Sequence, residues 1–321
     1  MNGFSGDYRF PPYAWIGFAV LILAHALLIL NLNGRHYPLY IMVWWPYILM
    51  VDGLVYRRKG SSLLTHRRKV FFQLLPLSIS LWLVFEFFNV ALNNWHYISV
   101  PPNLVSRWFA YAICYATVLP AIFETKELLD AYELFNKSRV PAISQSTRWY
   151  KPFVLTGLSF LILPLLWPKY CFPLIWGGFT FLLEPLNHRM GMRSLMREWE
   201  QGSLRTFFLL LAAGAICGML WEFWNFWSVT KWVYTIPYVG WLKVFEMPIL
   251  GFFGFPPFAV ECYVMINTVS LFRKGRIWKE LNFRYYFPKI VRVLLTGLTL
   301  LIFSFYAFQM IDLHSVASWR P

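Results

Sequence analysis

The chain has 321 residues, of which 58% are hydrophobic, 21% aromatic and only 14% charged. Soluble globular domains carry about 25% charged residues, so this composition excludes an ordinary soluble enzyme and predicts an integral membrane protein. The net charge of +14 would by itself suggest a nucleic-acid partner. The basic residues are instead concentrated in alternate loops, so we predict no nucleic-acid binding and expect membrane lipids as the surrounding partner.

Apolar runs long enough to cross a bilayer recur along the whole chain. A crossing helix needs about 20 apolar residues, which predicts an all-α polytopic membrane protein with about nine transmembrane helices. In chain order they cover residues 14–33, 37–55, 70–91, 105–125, 152–168, 170–187, 206–228, 245–271 and 290–312. No cleavable signal peptide is expected, because the N-terminus lacks a basic region followed by a small-residue cleavage site.

The distribution of basic residues predicts the orientation in the membrane. Of the 29 Lys and Arg residues, 23 fall in the N-terminal segment and the loops that would lie on one side of a nine-helix bundle. Basic loops remain cytoplasmic. We therefore expect a cytoplasmic N-terminus and an external C-terminus, in what we expect to be a bacterial inner (plasma) membrane.

Two segments of the chain resemble each other. Residues 69–89 match residues 205–225 at an offset of 136, and each contains Phe-Phe followed by Glu-Phe and then Asn. Further matched pairs are Trp95 and Trp232, Tyr97 and Tyr234, Pro120 and Pro257, Glu124 and Glu261, and Asp52 and Glu184. Because membrane composition does not favour recurring acids, we predict an internal duplication.

Four predicted spans separate the matched positions, so both copies enter the membrane in the same direction. The prediction is two parallel four-helix repeats plus one extra helix. The corresponding segments are a first membrane repeat at 1–135, a cytoplasmic linker at 136–151, a second membrane repeat at 152–275, and a basic loop with the extra helix at 276–321.

The candidate chemical groups are acids inside the predicted spans, where an ionisable side chain is costly and marks a functional site by default. Glu86 and Glu222 each have an Asn three residues later, Asn89 and Asn225, on the same helical face. One interpretation is a Glu–Asn hydrogen bond that fastens neighbouring helices. The other is a protonatable pair that faces a cavity.

Glu124 and Glu261 form a second layer nearer the cytoplasmic side, each four residues after a proline. A proline inside a helix bends it, which would open space beside the acid. Asp52 and Glu184 in the same layer precede Arg57 and Arg189 by five residues, so an ion pair that fixes topology is as good an explanation as catalysis.

Residues 245–261 contain three prolines and two glycines, which argues against a regular helix and for irregular backbone beside a cavity. Glu246 in this segment has no acidic counterpart in the first repeat, so the repeats are not equivalent and the second is the better candidate for activity. The predicted catalytic set is Glu222, Glu261, Glu86, Glu124, Asn225, Asn89 and Glu246. Predicted substrate-binding residues are Trp221, Trp224, Trp227, Trp232, Tyr234 and Trp95.

The sequence predicts neither a metal nor a cofactor. The six histidines are scattered and form no metal-binding spacing. The four cysteines lie within predicted spans without paired spacing, as small packing residues do.

The order of residues in each half resembles the lycopene cyclase domain and the related carotenoid hydratase membrane family. In the second half this order is Trp221-Glu222, then Trp232 and Tyr234, then Pro257 and Glu261; the first half has a weaker copy. The chain lacks the adjacent Glu-Glu pair of that family, and its proline precedes the acid by four residues rather than two. The WEFWN and FEMPILGFFGFPPFAVE strings also resemble an uncharacterised bacterial membrane protein family.

Three functions are compatible with these features. The resemblance implies an intramembrane isomerase, cyclase or hydratase that protonates a double bond of a long apolar isoprenoid substrate. The alternative is a proton- or cation-coupled transporter or channel that uses the same carboxylates. The third is a non-catalytic lipid-binding protein in which the polar groups are structural.

Overall fold

The computed structural model describes residues 8–30, 38–273 and 289–316. Within these ranges the chain forms a bundle of helices with two small two-stranded β-ribbons. The helices are α1 Pro12–Ile29, α2 Leu39–Lys59, α3 Leu63–His66, α4 Arg68–Leu92, α5 Leu104–Tyr115, α6 Val118–Ala131, α7 Tyr150–Leu166, α8 Pro168–Cys171, α9 Ile175–Arg189, α10 Leu195–Glu200, α11 Arg205–Trp227, α12 Phe255–Arg273 and α13 Lys289–Ile311. The strands are β1 Trp95–Ile98, β2 Lys231–Tyr234, β3 Lys243–Val244 and β4 Met247–Pro248.

Eight helical segments in the described ranges are long and apolar enough to cross a membrane. They are Pro12–Ile29, Leu39–Lys59, Arg68–Leu92, Leu104–Ala131, Ser146–Leu166, Arg205–Trp227, Ile249–Arg273 and Leu294–Val316. The chain is therefore an all-α polytopic membrane protein. The sixth predicted span, 170–187, is divided among α8, a 3-10 turn at Phe172–Leu174 and the 15-residue α9, so it falls below this length.

The fourth predicted span is broken between α5 and α6, and a serine of α4 binds both broken ends. Ser78 Oγ donates to the Tyr115 carbonyl at 2.5 Å and accepts from the Leu119 N–H at 3.0 Å. Both backbone groups would otherwise be unpaired in an apolar interior, at a cost of about 1–3 kcal/mol each. Ser78 thus makes a helix break tolerable at membrane depth.

The matched prolines lie at helix starts rather than at bends. Pro120 and Pro257 are each the third residue of their helix, α6 and α12. The first four N–H groups of a helix have no intrahelical partner, so a proline there removes no hydrogen bond. The expectation that these prolines bend helices beside Glu124 and Glu261 is therefore wrong.

The prediction for 245–261 is correct only in part. Residues 243–254 form the β3–β4 ribbon and a 3-10 segment, Ile249–Gly254, so the backbone there is irregular as expected. From Phe255 onward the chain is regular helix, and Glu261 lies within it. Pro256 fits because it occupies the first turn.

Two helical hairpins pack closely because glycines allow their backbones to approach. A Cβ built on Gly17 of α1 would lie 2.7 Å from the Pro46 carbonyl oxygen of α2. A Cβ on Gly157 of α7 would lie 2.4 Å from the Leu182 backbone nitrogen of α9. Small residues serve this purpose in membrane helices generally.

Gly218 sets an equally close approach between α11 and α12. A Cβ on Gly218 would lie 2.3 Å from the Phe255 ring. We expect Gly218→Ala to lower the free energy of unfolding by about 1–3 kcal/mol through overpacking, measured as thermal unfolding in detergent. Gly177→Ala is the control, since its Cβ would be 3.6 Å from Phe160. Equal stability of the two variants would contradict this packing.

Ion pairs join four helix termini at one end of the bundle, which we call the basic end. Asp130 of α6 binds Lys59 of α2 at 2.5 Å and also pairs with Arg205 of α11. Arg67, just before α4, binds Glu127 of α6 at 2.6 Å. This end brings together the C-termini of α2 and α6 with the N-termini of α4 and α11.

The β1–β2 ribbon lies at the opposite end, which we call the ribbon end. The strands are antiparallel, with Trp95 opposite Tyr234 and Tyr97 opposite Trp232. The chain enters β1 after Asn93, which ends α4 in the left-handed conformation at φ 52° that asparagine tolerates. The ribbon therefore joins the segment after α4 to the segment after α11.

The last described helix, α13, packs against α4 and is fixed at the ribbon end by Asp312. This carboxylate accepts from Arg107 Nε and Nη2, both at 2.8 Å, from Trp108 Nε1 at 2.9 Å and from the Tyr111 hydroxyl at 3.0 Å. Bidentate arginine pairs of this kind have strong directional preference. The contact attaches α13 to α5.

Candidate functional site

A cavity of about 660 Å³ lies at the ribbon end, beneath the β1–β2 ribbon. Its wall is mainly aromatic, and Lys231 is the charged side chain among the described residues that line it. The aromatic lining residues are Tyr40, Trp82, Trp95, Tyr97, Tyr111, Tyr115, Phe160, Phe172, Trp176, Phe181, Trp221, Trp232, Tyr234, Phe253, Phe255 and Phe258. Such a wall suits an apolar ligand.

Glu86 of α4 lies directly behind this wall and is 2% exposed. Its Oε1 accepts three hydrogen bonds, from the Tyr97 hydroxyl at 2.5 Å, Trp82 Nε1 at 2.9 Å and Trp95 Nε1 at 3.1 Å. All three donors line the cavity. Glu86 thus holds three aromatic side chains in place.

Glu222 of α11 has the corresponding position but fewer partners. It is fully buried, and its Oε1 accepts from the Tyr234 hydroxyl at 2.8 Å. Trp232 Nε1 donates to that hydroxyl at 2.8 Å. Trp82 precedes Glu86 by four residues, whereas the residue four positions before Glu222 is Gly218. The preceding turn of α11 therefore has no indole at this position that could donate to Glu222.

The tyrosines connect the carboxyl groups to the cavity. Neither Glu86 nor Glu222 lines it, whereas Tyr97 and Tyr234 do. Burial, together with the adjacent carboxyl group, raises the pKa of both tyrosines well above the ordinary value of 10.0. Both therefore remain hydroxyl donors at neutral pH, and each lies between its carboxyl group and the cavity.

The two predicted asparagines bind backbone rather than glutamate. Asn89 accepts from the Trp95 N–H at 3.3 Å and donates to the Trp95 carbonyl at 2.9 Å. Asn225 makes the same pair of bonds with Trp232, at 3.0 and 2.8 Å. Each fastens its helix to its strand, so the expected Glu–Asn hydrogen bond is replaced by an Asn–ribbon connection.

His96 lies at the centre of the ribbon, opposite Val233, and is 8% exposed. Burial lowers the pKa of His96 below the ordinary 6.5. At acid pH the unfolded chain therefore binds more protons than the folded chain does. The free energy of unfolding is thus unaffected by His96 above about pH 6.5 and falls as the pH is lowered below that value.

We expect thermal unfolding between pH 8 and 5 to show this fall in the wild type and a smaller one in His96→Gln. His66→Gln, which changes an exposed histidine, is the control. If His96→Gln loses as much stability between pH 8 and 5 as the wild type, groups other than His96 cause the loss.

The deeper acids cap helices or remain buried away from the cavity. Glu261 accepts from the Phe179 N–H at 2.7 Å, just after a kink in α9 at Trp176. Glu124 is fully buried, and neither of its oxygens has a hydrogen-bond partner among the described residues. Among the described residues neither acid has a hydrogen bond to a tyrosine of the cavity wall, whereas Glu86 and Glu222 both do.

Asp52 and Glu184 occupy matching positions at the basic end. Asp52 accepts from the Ser62 hydroxyl at 2.8 Å and the Leu64 N–H at 2.9 Å. Glu184 accepts from the Ser194 hydroxyl at 2.5 Å and the Met196 N–H at 3.0 Å. Each acid therefore binds the start of the next short helix, and Asp52 also accepts from the Tyr13 hydroxyl.

Glu246 does not line the cavity, but it pairs at 2.5 Å with Lys231, which does. Of the aromatic residues predicted to bind substrate, Trp221, Trp232, Tyr234 and Trp95 line the cavity. Trp224 packs against Trp44 at 4.8 Å between ring centres, and Trp227 is 49% exposed. These last two lie outside the lining.

The sequence interpretation missed several lining residues. Trp82 had a usable signal, since it precedes Glu86 by four residues and so shares its helical face. Trp176 and Asn94 had none, because the duplication pattern does not include them. Within the described ranges, no three His, Cys, Asp or Glu residues are grouped as a metal site would require.

Comparison with known proteins gives no relative from which a function could be transferred. No protein-family model matches the chain, and no similar curated protein or solved structure is found.

Proposed function

We propose that the protein is an intramembrane enzyme that acts on a long apolar isoprenoid, carotenoid-like in chemistry, by acid–base catalysis as an isomerase, cyclase or hydratase. The observation that carries this proposal is the aromatic cavity backed by two tyrosine–glutamate pairs. The cavity volume of about 660 Å³ falls within the range of small-molecule sites, about 300–1,000 Å³. The resemblance of the residue order to the lycopene cyclase and carotenoid hydratase family supports the substrate class.

The chemistry begins with a proton from the Tyr234–Glu222 pair. For this step Glu222 is protonated and donates to the Tyr234 oxygen, the reverse of the hydrogen bond in the structure. Tyr234 then gives its hydroxyl proton to one carbon of a double bond and takes the proton of Glu222, and the π electrons of that bond form the new C–H bond. The resulting carbocation lies among aromatic faces, which attract cations. Loss of a proton from a neighbouring carbon to the Tyr97–Glu86 pair restores a double bond; capture of water instead gives an alcohol and releases one proton.

The unequal partners of the two acids support this assignment. Glu86 Oε1 already accepts three hydrogen bonds, which stabilise a carboxylate and suit it to receive a proton. Glu222 Oε1 accepts one, and the Oε2 atom of each acid has no partner among the described residues. The second half therefore supplies the acid.

We also propose that the two halves are duplicated units related by a two-fold axis through the ribbon. The duplication matches Trp95 with Trp232 and Tyr97 with Tyr234. If the two strands are exchanged by this matching, every residue pair of the observed register becomes another pair of the same register. The two-fold axis would then pass between His96 and Val233. The matching pairs of bonds from Asn89 to Trp95 and from Asn225 to Trp232 support this relation. In this arrangement α9 is a short ninth crossing, the basic end is cytoplasmic, and the cavity opens on the outer side of a bacterial inner membrane.

Ligand binding is tested by filling the cavity. Ala110 of α5 lines it, whereas Val105 of the same helix is 76% exposed. The protein is purified in mild detergent and examined by native mass spectrometry and lipid extraction. We expect an isoprenoid to co-purify with the wild type and Val105→Phe, and to be lost from Ala110→Phe. Retention by both variants at equal occupancy would overturn the binding site.

Transport and passive lipid binding make different predictions from catalysis. A proton-coupled transporter would acidify proteoliposomes in a manner abolished by Glu222→Gln. A passive lipid-binding protein would retain both its bound isoprenoid and its cellular function in Glu222→Gln and Glu86→Gln. Either result would replace the catalytic proposal with that function.

A further inference from the structure

Several residues that line the cavity are strongly exposed, and they mark where it reaches the surface of the protein. Among the described lining residues they are Pro38, Pro173, Val229, Thr230, Leu250 and Phe253. None of these is charged, and all but the threonine are apolar. Leu250 is 61% exposed and Phe253 is 74% exposed. An exposed apolar edge of this kind suits contact with lipid rather than with water.

Leu250 and Phe253 lie within a segment that is long and apolar enough to cross the membrane, Ile249–Arg273. They belong to the 3-10 segment Ile249–Gly254, which leads directly into α12. The exposed lining residues just before α2 and just before β2 instead lie beyond the ends of the neighbouring crossing segments. The cavity edge beside Leu250 and Phe253 therefore adjoins the hydrocarbon of the bilayer.

The cavity extends from the ribbon end toward the middle of the bundle along a peripheral helix. Phe160 of α7 lines it, six residues before that helix ends at Leu166. The helix begins beside the end of α9, since the Tyr150 hydroxyl and His188 Nδ1 are 2.6 Å apart, so Leu166 is at the ribbon end. At a rise of 1.5 Å per residue, Phe160 lies about 9 Å deeper. Only 11% of the apolar part of this crossing is buried, so α7 lies against lipid.

The ribbon covers the cavity on the side of the water. Its two strands are joined beyond both ends of their register: Thr230 Oγ1 donates to the Ser99 carbonyl at 2.8 Å, and the Thr235 N–H donates to the Asn94 carbonyl at 2.9 Å. The two asparagines described above fasten the same strands to α4 and α11. A ligand arriving from the water would have to pass this fastened cover.

From the exposed apolar edge, the depth of the cavity and the fastened ribbon, we infer that the isoprenoid enters the cavity sideways from the outer half of the bilayer, through an opening beside Leu250 and Phe253. We call this opening the lateral portal. The inference rests on the proposed function and identifies the bilayer as the source of the substrate. Each CH₂ group that is exposed to water costs free energy, and this route keeps the apolar chain out of water throughout.

The test places a removable bulky group at the lateral portal. The partly exposed Cys114 and Cys171 are replaced by alanine, and Phe253→Cys is reacted with pyrenylmethyl methanethiosulfonate, which attaches a pyrene group through a disulfide. The protein is delipidated and reconstituted in lipid nanodiscs that contain squalene, an isoprenoid hydrocarbon. Native mass spectrometry gives the squalene occupancy. We expect the pyrene group to abolish loading, and dithiothreitol, which removes it, to restore loading.

The matched control carries the same pyrene group at Val229→Cys. Val229 also lines the cavity and is 40% exposed, but it lies beside the ribbon, so loading is expected to continue. Leu250→Cys is treated in the same way as a second portal variant, in case Phe253→Cys does not fold.

Attaching the pyrene group after loading distinguishes a blocked opening from a filled cavity. Phe253→Cys is first loaded with squalene, then reacted, and then mixed with an excess of squalene-free vesicles. A group that blocks the portal traps the squalene, whereas the unreacted variant loses it to the vesicles. A group that occupies the cavity itself would instead expel the squalene.

The outcomes separate this inference from the function on which it rests. Equal loading with and without the pyrene group at both portal positions overturns the lateral portal and leaves the binding site intact. Expulsion of squalene, or a block at Val229→Cys alone, also overturns it, and the second result would place the entrance at the ribbon. If the wild type itself binds no squalene, the proposed function fails together with the inference.

Discussion

Glu222→Gln is expected to reduce the exchange of solvent deuterium into a bound isoprenoid by about 10²–10⁴-fold, the range supplied by a positioned acid or base. A glutamine side chain can still accept the hydrogen bond from Tyr234 but has no acidic proton to transfer. The measurement is the mass gain of the isoprenoid after incubation with the purified protein in D₂O. Binding should persist, because Glu222 does not line the cavity.

Tyr234→Phe should reduce exchange to the same degree, since the proton passes from Glu222 through the phenol. Glu246→Gln is the matched control: it removes an acid whose observed partner is Lys231, and exchange should stay near the wild-type rate. Wild-type exchange in Glu222→Gln would show that the Tyr234–Glu222 pair is not the proton donor. The acid would then have to be sought elsewhere in the bundle.

Asn225→Leu is expected to have the largest effect on stability. The substitution leaves the Trp232 N–H and carbonyl, which Asn225 binds at 3.0 and 2.8 Å, without their partner. Each such group costs about 1–3 kcal/mol when fully buried and unpaired. Because Trp232 is only partly buried, we expect the lower part of that range, a fall of about 2–4 kcal/mol in the free energy of unfolding. Denaturation in detergent, followed by tryptophan fluorescence, measures this loss.

Asn89→Leu should destabilise the protein to a similar extent, because Asn89 makes the same contacts with Trp95. Asn103→Ala is the control: its side chain caps α5 at an exposed position, and loss of such a cap costs about 1 kcal/mol. If Asn225→Leu and Asn103→Ala have equal effects, the ribbon is not fixed by the asparagines. A loss of isoprenoid binding in Asn225→Leu would show in addition that the ribbon shapes the cavity.

The positions of the important acids could be predicted, but their partners could not. The sequence singled out Glu86, Glu222, Asn89 and Asn225 because acids and amides are rare in apolar helices and recurred here. Which donor each carboxyl group meets depends on the ribbon, whose strands are separated by 132 residues of chain between Ile98 and Lys231. Local spacing carries no information about such a pairing.

The same limit explains why some predicted aromatic residues lie outside the cavity wall and why some lining residues were missed. Trp221, Trp224 and Trp227 follow one another at three-residue spacing on α11, and sequence alone gives them the same role. In the structure Trp221 lines the cavity, Trp224 packs against α2 and Trp227 is half exposed. A helix rotates by about 100° per residue, so a spacing of three drifts off one face, and only the neighbouring helices decide what each face meets.

The sequence alone determined that this chain is a polytopic helical membrane protein, since hydrocarbon permits only long apolar segments with internally bonded backbone. It also determined where polar groups interrupt those segments, because such residues are costly and therefore conspicuous. Only the tertiary structure decided that the ribbon and the tyrosines separate the acids from a cavity. That separation depends on contacts between distant segments, which form only when the helices pack.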